Sequence, residues 1–78
     1  MTKSELNGIL DRLNDALKFH NSKIRYEIGS RYDYIALDCV PAINPNYYTI
    51  GVSCTGTKKE VGQYMRGMLK GIESIENK

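Results

Sequence analysis

The chain has very few of the side chains from which catalytic and metal sites are commonly built. It contains one histidine and two cysteines among 78 residues, too few for a dedicated zinc cage. Nucleophilic catalysis would need a cysteine or serine held beside a base, yet His20 lies on a different predicted element from Cys39 and Cys54. We therefore predict a non-enzymatic protein with no cofactor and no metal site.

Long apolar runs and a strong charge are also missing. No apolar run is long enough to span a bilayer, and no basic-then-apolar leader is present, so we expect a cytoplasmic protein without a membrane partner. The formal charge of +2 arises in residues 55–78, with five basic and three acidic side chains. That local bias is weaker than the basicity of a dedicated nucleic-acid binder.

The longest amphipathic pattern runs from Gly56 to Ile75. Thr57 is a good N-cap and Glu60 stands three residues on, so the pair can form a capping box. Apolar residues then recur at spacings of three and four, which predicts one buried stripe on a helix. The stripe consists of Val61, Tyr64, Met65, Met68, Leu69, Ile72 and Ile75.

A second helical pattern covers roughly residues 3–19, and Thr2 with Glu5 forms a second possible capping box. Asn21 can take the left-handed conformation that closes a helix, and His20 is interpreted as a helix-end residue rather than a catalyst. The apolar positions are Leu6, Ile9, Leu10, Leu13, Ala16 and Leu17.

Between these helices the apolar period changes to two, which predicts three strands. They cover about residues 23–28, 34–40 and 47–54, and the prolines of residues 41–46 predict a hairpin loop before the third. The predicted inward-facing residues are Ile24, Tyr26, Ile28, Ile35, Leu37, Cys39, Tyr48, Ile50, Val52 and Cys54.

Register follows from the rule that core-facing residues pair with core-facing residues. In the second hairpin, pairing Val40 with Tyr47 sets Cys39 opposite Tyr48, Leu37 opposite Ile50 and Ile35 opposite Val52. In the first, pairing Ile28 with Asp33 aligns Tyr26 with Ile35 and Ile24 with Leu37, and places Lys23 beside Asp38. The two cysteines then lie near opposite ends of the sheet, and we expect free, buried and slowly reacting thiols.

These elements predict a single α+β domain over residues 1–78 with the order α-β-β-β-α. We expect a three-stranded antiparallel sheet with both helices on one face, and full burial of Leu13, Ile50 and Met68. The other face would have a small-residue centre of Ala36, Gly51 and Ser53. Tyrosines and charges around such a centre are typical of a contact surface, although antiparallel sheets also leave one face simply solvated. The candidate partner-binding residues are Arg25, Glu27, Tyr34, Asp38, Tyr47 and Thr49.

Glycines inside the second helix also need a reason, because each costs about 1 kcal/mol relative to alanine. For Gly67 and Gly71 we expect close approach to the first helix, and the alternative is a small-residue seam for a partner helix. Gly62 faces the opposite flank and has no explanation from the pattern.

The stretch TKKEVGQYMRGMLKGIE resembles the C-terminal helix of small uncharacterised proteins carried by phages and prophages of Gram-positive bacteria. The resemblance covers under a quarter of the chain. It implies a phage or mobile-element accessory protein in the host cytoplasm, acting on a host or phage protein, for instance as an inhibitor of a host factor. A homodimer through the open sheet face is a further possibility.

The element order is also similar to that of the double-stranded RNA-binding domain, whose last helix opens with a lysine pair that contacts phosphates. Lys58 and Lys59 stand at the matching position. Gly29, Ser30 and Arg31, whose composition predicts the turn between the first two strands, replace that family's Gly-Pro-x-His loop. The alternative prediction is therefore a nucleic-acid-binding module that uses Lys58, Lys59, Arg66 and Lys70.

Overall fold

The computed structural model describes residues 1–43 and 49–76, without the side chain of Glu76. The elements are α1 (Lys3–Phe19), β1 (Ile24–Ser30), β2 (Ile35–Pro41), β3 (Gly51–Gly56) and α2 (Lys58–Glu76). The strands form an antiparallel sheet in the order β1-β2-β3, and both helices pack on one face of it. The predicted α+β fold is confirmed.

Local hydrogen bonds set both ends of α1. The Glu5 amide donates to Thr2 Oγ1 at 3.1 Å, and the Thr2 amide donates back to Glu5 Oε1 at 3.4 Å, so the predicted capping box is present. At the other end Asn21 has φ 56°, and the Ser22 amide donates to the Leu17 carbonyl at 2.9 Å. This Schellman arrangement satisfies carbonyls that the end of the helix would leave unpaired.

A second capping box starts α2. The Glu60 amide donates to Thr57 Oγ1 at 3.2 Å, and the Thr57 amide donates to Glu60 Oε1 at 3.1 Å. Gly56, immediately before it, has φ +150°, and a Cβ there would lie 3.1 Å from Glu60 Oε1. The chain can turn from β3 into α2 in one step because this position carries no side chain.

The core lies between the helices and the inner face of the sheet, with Leu13 fully buried as predicted. Met68 is only half-buried, because Met65 occupies the centre of the stripe on α2. Ile50 is 52% exposed, so its predicted burial is wrong. The buried cluster consists of Leu6, Ile9, Leu13, Leu37, Val61, Met65 and Leu69.

The first hairpin is longer than predicted. Ile28 pairs with Leu37, and the turn closes with the Arg31 amide donating to the Tyr34 carbonyl at 2.8 Å. Gly29 was expected to begin this turn but lies inside β1. The register differs from the predicted one by four residues, an even number, so each side chain stays on its predicted face.

A β-bulge changes the second hairpin. Leu37 pairs with Cys54 but Asp38 pairs with Val52, which leaves Ser53 as an extra residue. Because one extra residue reverses the alternation, Val52 turns to the side of the sheet away from the helices, where it is 53% exposed. The predicted inward facing of Val52 and its pairing with Ile35 are therefore wrong.

The other predicted pairings of that hairpin either differ from the observed ones or involve residues outside the described ranges. Cys39 pairs with Gly51, which therefore faces inward and is no part of the outer centre expected from the sequence. Ile35 pairs with Gly56. The predicted partners Tyr47 and Tyr48 lie outside the described residues.

The helix glycines have roles different from those expected. Gly67 and Gly71 are exposed, and a Cβ at either would meet nothing within 4 Å, so neither permits close approach to α1. Gly62 is buried, and a Cβ there would lie 2.5 Å from Met1 Sδ and 3.5 Å from Leu6 Cδ1. Gly62, rather than Gly67 or Gly71, is therefore the glycine of α2 that packs closely, mainly against Met1.

Candidate functional site

The outer face of the sheet, the side turned away from both helices, has two carboxylates opposite each other at its centre. Glu27 on β1 pairs with Asp38 on β2. The sequence had predicted Lys23 as the partner of Asp38. Like charges directly opposite would destabilise the sheet. Arg31 offsets this repulsion, since its Nη2 lies 3.0 Å from Asp38 Oδ1 and 3.3 Å from Oδ2.

Gly29 gives the Arg31 guanidinium its place on this face. A Cβ at Gly29 would lie 2.5 Å from Arg31 Nη1 and 2.8 Å from Asp38 Oδ2. The guanidinium lies across β1 over the space that a side chain at this position would occupy, and a Cβ there would require the ends of Arg31 and Asp38 to shift. The result is a fixed charge pair in which Asp38 is largely shielded from water and Arg31 is partly exposed.

The floor of the outer face is more closed than the sequence suggested. Ala36, Asp38 and Val40 alternate with the core residue Leu37, so they point outward, and all three are nevertheless buried. The exposed groups stand on the flanking strands and at the turn: Glu27 on β1, Val52 and Thr55 on β3, and Tyr34 before β2.

The predicted partner-binding residues do not act as one set. Arg25 Nη1 donates to the carbonyls of Ser22 at 3.0 Å and Ile24 at 2.6 Å, so this side chain chiefly braces its own backbone. Glu27 and Thr49 are exposed, and Tyr34 is 47% exposed. Tyr47 lies outside the described residues.

Three exposed or charged groups of this surface were missed by the sequence analysis. Tyr32, in the same turn as Tyr34, is fully exposed. Arg31 was interpreted only as a turn residue, and Val52 was placed in the core. Two tyrosines within one four-residue turn could have predicted exposed aromatic side chains there. No local sequence pattern predicts the bulge that exposes Val52.

Asn14 on α1 makes a contact with β1 that the sequence analysis did not predict. The only sequence signal was a polar residue beside the apolar stripe of α1. Its Nδ2 donates to the Tyr26 carbonyl at 2.9 Å, and its Oδ1 accepts from the Tyr26 amide at 2.9 Å. The side-chain amide thus pairs with β1 as a residue of a neighbouring strand would. Both outward backbone groups of Tyr26 are satisfied in the middle of this edge strand.

The inner face contains polar groups that support the sheet. Burial raises the pKa of Tyr26, and the nearby Ser53 side chain, on the bulged residue, partly opposes this rise. Burial also raises the pKa of the Cys39 thiol, which lowers its reactivity. Cys39 and Cys54 are both free and half-buried, on neighbouring strands rather than at opposite ends of the sheet.

The four basic residues of the alternative prediction are all exposed on α2. Lys59, Arg66 and Lys70 are separated by seven and four residues, so they share one exposed stripe that flanks the buried side of the helix. Lys58 points about a quarter turn away from that stripe. Within the described ranges none of the four forms an ion pair.

A cationic cleft of about 490 Å³ lies where α1 ends and β1 begins. Lys18, Lys23 and Arg25 contribute its charged lining.

Among the residues that the structure describes, no group of three or more histidine, cysteine, aspartate or glutamate side chains is placed to hold a metal ion.

Comparisons with protein-family models, with curated proteins and with solved structures found no match for the chain. In the described part of the chain, neither helix has the length and apolar character needed to cross a membrane.

Proposed function

We propose that this chain is a non-enzymatic protein-interaction module whose contact surface is the outer face of the sheet together with the turn of the first hairpin. The observation that carries this proposal is the exposure of Val52, Tyr32 and Tyr34 around a fixed Arg31–Asp38 ion pair. Apolar and aromatic groups supply contact area, and a rigid charge pair supplies orientation.

The surface suits a protein partner of mixed charge. Glu27 and Arg31 offer one exposed charge of each sign, so neither a strongly acidic nor a strongly basic partner is favoured. Tyrosine side chains give large contact area at low entropy cost. We take the partner to be a host or phage protein because the α2 sequence resembles phage and prophage proteins, and an inhibitor of a host factor fits this size.

The test is a pull-down from a lysate of a Gram-positive host with the full chain as bait, comparing the parent with Glu27→Lys. This change removes the repulsion between Glu27 and Asp38, so the fold should not suffer, while the charge pattern of the outer face is inverted at one point. We expect at least about a fivefold loss of a specifically retained protein, equivalent to ~1 kcal/mol.

Asp11→Lys is the matched control, because it makes the same acidic-to-basic change at an exposed position of α1, away from the outer face. A protein retained equally by all three baits would contradict binding through the outer face, provided that circular dichroism shows the variants folded.

A second candidate function is nucleic-acid binding through the stripe of Lys59, Arg66 and Lys70. The observation in its favour is that these three exposed cations align and form no ion pair within the described residues. Cations that are not neutralised by the protein are available to phosphates.

This candidate is tested by titrating the chain with a duplex RNA of about 20 base pairs at several salt concentrations. Lys59→Gln, Arg66→Gln and Lys70→Gln should each reduce the dependence of log K on log salt by about one. Lys58→Gln is the control outside the stripe. No measurable binding, or equal effects of all four changes, would rule out a role for the stripe.

A further inference from the structure

The two edges of the sheet differ, and from that difference we infer that β3 pairs with β3 of a second copy of this chain. The two sheets would join edge to edge into one antiparallel six-stranded sheet. This inference does not rest on the proposed function, because it concerns the backbone of β3 rather than the side chains of the outer face.

The β1 edge is closed to strand addition. An incoming strand would need the Tyr26 amide and carbonyl, and the Asn14 side chain already binds both at 2.9 Å. Such a block in the centre of a strand is a means of preventing edge-to-edge association.

Among the described residues the β3 edge has no side-chain block of the kind that closes β1, although the bulge at Ser53 interrupts its regular hydrogen-bonding pattern. Its sequence GVSCTG contains no charged residue and no proline, the two kinds of residue that commonly guard edge strands. Among the described residues no side chain of another element hydrogen-bonds to the backbone of β3. Val52 and Thr55 are exposed on this strand, and the preceding Ile50 is 52% exposed.

A second copy fits this edge for two reasons. Antiparallel self-pairing brings no like charges together, because β3 has no charge, and exposed apolar groups beside one copy's edge meet their equivalents on the other. One open and one closed edge per chain also give a closed two-fold dimer, whereas pairing β3 with β1 would propagate into a filament. The Asn14 block prevents that second outcome.

The experiment measures the mass of the full chain by light scattering and analytical ultracentrifugation between about 10 µM and 1 mM, a range that reports weak association. Backbone hydrogen exchange is followed over the same range. We expect the mass to rise from 8.9 kDa to twice that value. We also expect amides within Gly51–Gly56 to become more protected as concentration rises, while those of β1 do not change.

The variant Val52→Lys should shift the monomer–dimer midpoint at least about tenfold to higher concentration, since it brings two like charges to the edge. Val52→Thr, an uncharged β-branched change at the same exposed site, should preserve the dimer. Circular dichroism establishes that both variants are folded.

Three outcomes would overturn the inference. One is a mass of 8.9 kDa throughout the concentration range. The second is a dimer that forms without added protection in β3 and is lost in Tyr34→Ser, which would indicate pairing of outer faces. The third is equal dimerisation of Val52→Lys and Val52→Thr.

Discussion

At the scale of single residues, the Asn14 side chain forms with β1 the two hydrogen bonds that a neighbouring strand would form. Most polar side chains in a helix of this kind point to water, but this one satisfies both backbone groups of Tyr26 and ties α1 to β1. Each net hydrogen bond contributes about 0.5–1.5 kcal/mol to stability. Alanine at this position removes both bonds while improving helix propensity by less than about 1 kcal/mol.

We therefore predict that Asn14→Ala lowers the free energy of unfolding by about 1 kcal/mol, measured by urea denaturation. Asn7→Ala is the matched control, because Asn7 is exposed on α1 and hydrogen-bonds to no described strand. It should be neutral or slightly stabilising. Equal stability changes in the two variants would show that the Asn14 bonds contribute nothing.

The exposed glycines of α2 lead to a prediction in the opposite direction. Gly67→Ala and Gly71→Ala should each raise the free energy of unfolding by about 0.5–1 kcal/mol, because a Cβ meets open space and the unfolded chain loses freedom. Gly56→Ala is the contrasting change. It should destabilise, because φ is +150° and Glu60 is within 3.1 Å. Destabilisation by alanine at Gly67 would contradict its exposure.

At the scale of elements, the hydrogen bonds at the start of α2 couple it to pH. Hydrogen bonds from the Thr57 amide and hydroxyl lower the pKa of Glu60 below its usual value. A carboxylate with a lowered pKa stabilises the folded state above its ordinary pKa, and this contribution is lost as pH falls through the lowered value. The first turn of α2 should therefore loosen under acid conditions.

We predict that Thr57→Ala raises the pKa of Glu60 only in part, because the Thr57 backbone amide, the larger cause of the lowered pKa, is retained. Loss of the N-cap side chain should cost about 1 kcal/mol of stability near neutral pH. Titration of the Glu60 carboxyl by nuclear magnetic resonance measures the first effect, and denaturation measures the second. Thr55→Ala, an exposed strand position nearby, serves as the control. An unchanged pKa of Glu60 in Thr57→Ala would contradict a contribution from the Thr57 side chain.

The elements also show which parts of this fold the sequence could predict. The helix boundaries followed from short-range chemistry, since Thr2, Thr57 and Asn21 form their caps with residues at most four positions away. The faces of β1 and β2 followed from alternation, and the error in their register was an even number of residues. The facing of β3 before Ser53 could not be predicted, because the bulge lies in the pairing of β3 with β2 and produces no local pattern in the sequence.

The candidate site was less predictable than the fold for a related reason. Its centre depends on Arg31 crossing Gly29 to reach Asp38, a contact set by the register of the first hairpin. The Asn14 contact likewise joins a helix side chain to a strand backbone. Neither contact produces a periodic pattern that could be recognised in the sequence.

At the scale of the whole molecule, the buried hydrophobic cluster of the described chain lies between the helices and the inner face, while Ala36 and Val40 are buried on the outer side of the sheet. A domain of this size has little stability to spare. Leu13 is fully buried between the helices and the sheet, so its truncation should destabilise the whole domain. Ile50 is half exposed and does not belong to the buried cluster.

Leu13→Ala should lower the free energy of unfolding by about 2–5 kcal/mol and unfold much of the population at room temperature. Ile50→Ala removes a similar number of carbon atoms at a half-exposed site and should cost less than about 1 kcal/mol. Thermal and urea denaturation at a concentration where the chain is monomeric measure both. If the two variants lost equal stability, Ile50 would belong to the core, and the bulge that turns the start of β3 outward would be wrong.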